Sequence, residues 1–216
     1  MPRTKFHINP PMMVSEHNFQ RGDGKMTVLT LNFNPIIQLT SDQFYQLCTA
    51  NPDLKLERNA NGELIVMPPT GGETGKRNSN INLQLGIWNE RTQMGELFDS
   101  STGFTLPNQA DRSPDAAWIE KSRWEALTSE QREKFIPLCP DFVIELLSPS
   151  DRLSQIQEKM REYMENGCRL GLLINRRNRQ VEIYRLGREV EVLDAPSIIS
   201  CEDVLPGFVL NMQQIW

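Results

Sequence analysis

Residues 140–147 read Pro-Asp-Phe-Val-Ile-Glu-Leu-Leu, and no other stretch of this chain constrains its fold as strongly. Phe142, Val143, Ile144, Leu146 and Leu147 are apolar on both faces of an extended strand, the pattern of a strand covered on both sides at the centre of a sheet. Ser148-Pro149-Ser150-Asp151 then makes a turn and cap. Residues 152–166 follow with Leu153, Ile156, Met160 and Tyr163 on one helical stripe, stopped by Gly167, the residue type favoured just past a helix C-terminus.

The flanking segments supply the other layers. A helix is expected from Thr40 or Ser41, with Phe44, Leu47 and Cys48 facing inward. Residues 54–58 and 63–67 read as strands joined through Asn59-Ala60-Asn61-Gly62, which is hairpin chemistry. The longest helical pattern covers 73–91, with Ile81, Leu85 and Trp88 on its stripe and Leu83 and Ile87 widening it. Strands 95–98, 103–106 and 114–120 form a meander, 121–134 one or two short helices, and 169–174, 181–186 and 190–193 a closing run of strands. The order implies an α/β or α+β sandwich around one mixed sheet. Residues 1–25 show no periodicity and are expected to be a flexible tail, leaving 26–216 as a single domain.

Composition excludes several kinds of chemistry. Both histidines, His7 and His17, fall in the expected tail, and the four cysteines are scattered without a CxxC pair. A Cys/His zinc site and a His-activated nucleophile are therefore ruled out, and the cysteines read as small buried side chains. No apolar run reaches the roughly 18 residues that span a bilayer, and no secretory signal opens the chain, so the expectation is a cytoplasmic protein with no membrane partner. The net charge of −5 argues against tight non-specific DNA binding but not against a site built from carboxylates. Segment 175–188 reverses the trend: Arg176, Arg177, Arg179, Arg185 and Arg188 stand against Glu182 alone, either a solvated hairpin tip or an edge that contacts phosphate.

Two strands open with Pro-Asp, at Asp115 and at Asp141. Strand alternation puts Asp115, Ala117 and Ile119 on one face, and Asp141, Val143 and Glu145 on one face of the next. Glu145 breaks the apolar run of the central strand, where an ionised carboxylate is costly unless it is paired or binds a metal. Lys159 stands roughly 12 Å along the following helix and Glu145 roughly 10 Å back along the strand, so a helix folded over its strand brings them level. Two carboxylates and a lysine suit metal-assisted phosphodiester hydrolysis.

The ordered set GELIVMPPTGGETGKRN, SPDAAWI, PDFVIELLSPSDR, KMREYMENG and LPGF, over roughly residues 36–212, resembles the Uma2 family of restriction-endonuclease-like proteins in the PD-(D/E)XK nuclease superfamily. The resemblance implies a mixed central sheet flanked by helices with extra antiparallel strands, and a DNA endonuclease using Mg²⁺ or Mn²⁺. It makes Asp115 and Glu145 metal ligands and catalytic residues. The lysine of the E-x-K motif is replaced by Leu147, and Lys159 on the adjoining helix takes that role. Asp141 falls to a supporting position. Glu73 matches a further acidic ligand of some superfamily members, or simply satisfies first-turn amides. A homodimer is expected, since cutting both strands calls for two sites. The alternative is an inactive nuclease fold serving as a nucleic-acid-binding or protein-interaction module.

Overall fold

In the computed structural model, which describes residues 28–201 and 203–216, the strand at 140–147 is β8 (Phe142–Leu146), buried at every position. The expected tail at 1–25 lies outside the described residues. β8 runs antiparallel to β7 (Ala116–Glu120) and parallel to β9 (Leu170–Asn175), and α5 (Leu153–Glu165) makes the crossover that a parallel neighbour requires. With β4 (Gly95–Asp99), β10 (Gln180–Arg185) and β11 (Glu191–Asp194) they form a mixed sheet ordered β11-β10-β9-β8-β7-β4.

Strand alternation sorts the core into two layers. Phe142, Ile144 and Leu146 pack with Ile81, Leu85 and Trp88 of α2 (Gly72–Thr92), while Val143 and Leu147 pack with Met160 and Tyr163 of α5. Each fully buried large side chain contributes about 1.5–3 kcal/mol. Gly171 lets α5 lie tight on β9, since a Cβ there would sit 2.4 Å from Met160 Cε. The α2 layer is closed by a C-terminal hairpin, β12 (Ile198–Ser200) and β13 (Val209–Asn211), whose flanking Leu205, Phe208, Met212 and Ile215 are buried. That hairpin was not among the sequence expectations. Three cysteines are buried and Cys48 is half-buried.

A second sheet, entirely antiparallel, is ordered β1 (Leu29–Leu31), β3 (Leu64–Met67), β2 (Lys55–Arg58), β6 (Asp111–Arg112), β5 (Phe104–Thr105). The β2–β3 turn carries Gly62 at φ +80°, a conformation that favours glycine. Beside this sheet, α1 (Ser41–Ala50) buries Phe44 and starts on a Thr40/Gln43 capping box.

Two expectations are corrected. The strands at 95–98, 103–106 and 114–120 do not form one meander: β4 pairs with β7, while the chain between them crosses to the second sheet. Arg58 fixes it there, opposite Asp111 in register and ion-paired to it at 2.8 Å, while Phe104, Leu106 and Ala110 bury in the α5-side core. Leu83 and Ile87 do not widen the α2 stripe. They are 59% and 46% exposed, because the sheet meets only the narrower ridge of Ile81, Leu85 and Trp88. Among the described residues no helix is long and apolar enough to cross a membrane.

Candidate active site

The last register pair of β7 and β8 on this side is Ala116 with Ile144, so Asp115, one residue before β7, comes opposite Glu145. Directly opposed residues face the same side of a sheet, here the side covered by α5. The Leu146 amide donates to Asp115 Oδ2 at 2.8 Å, and Asn78 Nδ2 of α2 donates to Oδ1 at 2.7 Å. The Asn78 side-chain oxygen, buried beside this carboxylate, has no partner among the described residues.

Glu145 is 6% exposed. Its Oε1 accepts from Lys159 Nζ at 2.7 Å and from the Tyr163 hydroxyl at 3.0 Å, and no described residue donates to Oε2. Lys159 and Tyr163 are four apart on α5 and so share a helical face. The Lys159 ammonium is also 2.8 Å from Oε1 of Glu57, a β2 residue that is 2% exposed. Glu57 further accepts from Arg112 at 3.1 Å and from the Ser113 amide at 3.0 Å, and Arg112 Nε donates to Glu162 at 2.6 Å. The ammonium is therefore shared between the two sheets.

Electrostatics divide the two carboxylates that share this lysine. Burial pushes the Glu145 carboxyl up to about 7; Lys159 pulls it down, but Asp115 and Glu57 push it back up. Burial would raise Glu57 as well, yet Lys159, Arg112 and the Ser113 amide together outweigh it and lower its pKa to about 2. Asp115 is raised by burial, against the Leu146 amide and the Lys55 charge. For Lys159 burial favours the neutral amine, but Glu145 and Glu57 overcome that and hold it charged. Glu145, Glu57 and Glu162 are ion-paired through Lys159 and Arg112, three carboxylates against two cations. Asp115, held by the Leu146 and Asn78 amides, faces Glu145 without a direct bond to this group, and the Lys55 charge acts on it from β2.

Asp115, Glu145 and Lys159 thus meet at one place, on the wall of a cleft of about 900 Å³ between the β2–β3 hairpin, the start of α2 and the start of α5. Glu73 does not join them. Its side chain is 72% exposed and pairs with Arg77, and α2 reaches Asp115 through Asn78 instead. Nor does Asp141 support the site. Because β7 and β8 are antiparallel, the two Pro-Asp dipeptides fall at opposite ends, and Asp141 accepts from the Glu120 amide at 2.9 Å and pairs with Arg123 at 2.8 Å. Leu147, at the motif's lysine position, is buried in the α5-side core. Sequence reasoning missed Glu57, Arg112 and Asn78. A glutamate before a hairpin turn is ordinary; only the burial of both faces of β2 makes this one special.

Comparison with known proteins agrees with this architecture. A family model, Uma2, described as "Putative restriction endonuclease", matches residues 41–213. The crystal structure of a "putative nuclease belonging to DUF820" from Anabaena variabilis superimposes with a TM-score of 0.69 at 21% sequence identity, covering 82% of this chain and 97% of that one. No curated protein matches the chain.

Proposed function

We propose that this chain, which belongs to the Uma2 family, is a divalent-metal-dependent DNA endonuclease whose site is Asp115, Glu145 and Lys159. The observation that carries the reading is the facing pair of largely buried carboxylates, Asp115 and Glu145, at the wall of a cleft, with Lys159 shared between Glu145 and Glu57, a cluster that a divalent cation would balance. The residues present fit such an ion. Carboxylate oxygens are hard donors, Glu145 Oε2 is free of protein donors, and the orphaned Asn78 oxygen lies next to Asp115. The protein ligands in this reading are the facing pair Asp115 and Glu145, a small donor set that suits Mg²⁺ or Mn²⁺ keeping several waters.

When bound, the cation would supply an activated water and offset the charge that develops on the phosphate. The chain's own residues do the rest. Tyr163 and Lys159 hold Glu145 through Oε1, which leaves Oε2 directed to the ligand. Lys159 spends two of its three N–H donors on Glu57 and Glu145, and the third serves the attacking water or a phosphate oxygen. Glu57 shares the ammonium with Glu145 and acts as a positioning residue. A homodimer would present two such sites to opposite strands.

Incubation with supercoiled, linear and single-stranded DNA plus Mg²⁺ or Mn²⁺ tests this directly. Cleavage is expected that EDTA and the variants Asp115→Asn and Glu145→Gln abolish. One observation favours the second reading, an inactive fold used for binding: the buried Leu147 where the motif keeps its lysine. No cleavage, together with calorimetry in which Glu145→Ala removes no metal site, would establish it.

A further inference from the structure

The proposed chemistry leaves two cations of the cleft wall unused, Lys55 and Arg176, and of these Arg176 has a nitrogen shielded from water without a partner. Arg176 follows β9 on the turn into β10 and is partly buried in the cleft wall. Among the described residues no carboxylate lies within ion-pair distance of it. Among the described residues its side chain's one hydrogen bond is a long one, 3.4 Å, from Nη1 to Thr74 Oγ1, and its Nε is shielded from water without a partner there. The neighbouring Arg77 is already occupied by Glu73 and by the Ile215 and Trp216 carbonyls. Burial and the Arg77 charge both disfavour charged Arg176, and Glu73 only partly offsets them. A half-buried guanidinium kept without a counter-ion is a costly arrangement that a bound anion relieves.

Position names the anion. Thr74 stands four residues, one helical turn of about 6 Å, before Asn78, whose amide holds Asp115. The guanidinium is therefore about one turn along α2 from the carboxylate pair, a separation of the kind found between successive phosphates of one strand. The turn that carries it is pinned, because Arg177 Nη2 donates to the Pro149 carbonyl at 2.5 Å. A planar fork suits two phosphate oxygens.

We propose that Arg176 is a phosphate clamp, binding the backbone phosphate beside the one that is cut while Thr74 steadies its fork. This rests on the nucleic-acid reading of the cleft, and it gives segment 175–188 one specific phosphate contact in a chain whose net charge is −5.

Fluorescence anisotropy with labelled single-stranded and duplex DNA, in Ca²⁺ to hold binding without cutting, tests it on the full chain. Arg176→Ala is expected to weaken binding about 10-fold or more and to reduce the slope of log Kd against log salt by about one. In cleavage it should raise KM with little change in kcat. Arg176→Lys should recover part of the loss. Arg188→Ala, an equal change of charge on an exposed side chain outside the cleft, should leave binding unchanged. A parallel arm uses inorganic phosphate, which should raise the melting temperature of the wild type but not of Arg176→Ala. If DNA is bound and cut while Arg176→Ala behaves as wild type in both arms, the clamp is overturned and the nuclease reading stands. If no DNA is bound but the phosphate response persists and depends on Arg176, the clamp stands and the nuclease reading falls. Absence of both responses overturns the clamp as well.

Discussion

Glu145 is a buried carboxylate whose charged form burial disfavours, and neutralising it should stabilise the metal-free protein. Its folded-state pKa of about 7 lies above the ordinary 4.5. The sign follows from linkage: a raised pKa contributes stability that is fully present below about 4.5 and lost as pH rises through about 7. A displacement of that size corresponds to about 3 kcal/mol at most, and for a group sharing its lysine with Glu57 about 1–3 kcal/mol is the working range. Glu145→Gln keeps the shape and an oxygen for the Tyr163 hydroxyl. In EDTA its advantage over the wild type should be smallest near pH 5 and grow towards pH 8, to about 3–10 °C in melting temperature for a chain of this size. Glu57 does not confuse the window. Its depressed pKa gives stability present above about 4.5 and lost as pH falls towards 2, below the range scanned. Thermal unfolding from pH 5 to 9, wild type against variant, is the assay. Added Mn²⁺ should reverse the ranking by stabilising only the wild type. A Glu145→Gln protein that is less stable than wild type throughout, or whose advantage does not grow with pH, would refute the reasoning.

Other variants probe other links. Lys159→Met should lower turnover on the order of 100-fold while shifting Mn²⁺ affinity, read by calorimetry, far less; the reverse ranking would assign the lysine to the metal. In that background Leu147→Lys restores an ammonium on the Glu145 face of β8, and partial recovery of cleavage is expected. Tyr163→Phe removes the 3.0 Å bond to Glu145, costs about 1 kcal/mol, and should move the acid limb of the pH–rate profile to higher pH, since a donor to the carboxylate is lost. Gly95→Ala puts a Cβ 2.1 Å from the Ile119 carbonyl oxygen; it should cost about 1–3 kcal/mol in urea unfolding while cleavage per folded molecule stays constant.

The central strand, its helix and the closing strands were legible because their periodicity is set by burial on both faces. For that reason β8, α5, β9 and β10 appear within a residue or two of their expected spans. That Lys159 comes level with Glu145 was legible too, from helix rise and strand length; Asp115 was picked out by the family resemblance, since strand parity does not say which strands pair. What escaped depends on which sheet a strand joins. The pairing of β6 with β2 has no local signature, and without it neither the second sheet nor the approach of Glu57 to Lys159 can be foreseen. Leu83 and Ile87 show the converse failure: an apolar residue on a helix carries no mark of whether a partner surface reaches it. Glu73 was read from its place near a helix start, but side-chain direction aims it at Arg77.

The lysine shared by Glu57 and Glu145 has a mechanical meaning. Glu57 belongs to the hairpin sheet and Glu145 to the mixed sheet, while the Arg112–Glu162 pair joins the hairpin sheet to α5 a second time. The ammonium is thus a hinge pin set between two plates. Spreading them by even an ångström draws it off one carboxylate or the other, and the cleft then loses its cation balance before any backbone hydrogen bond breaks. Changes in the β2–β3 hairpin, which among the described residues makes no hydrogen bond or ion pair to Asp115 or Glu145, should therefore be felt at the phosphate through the tilt of one side chain.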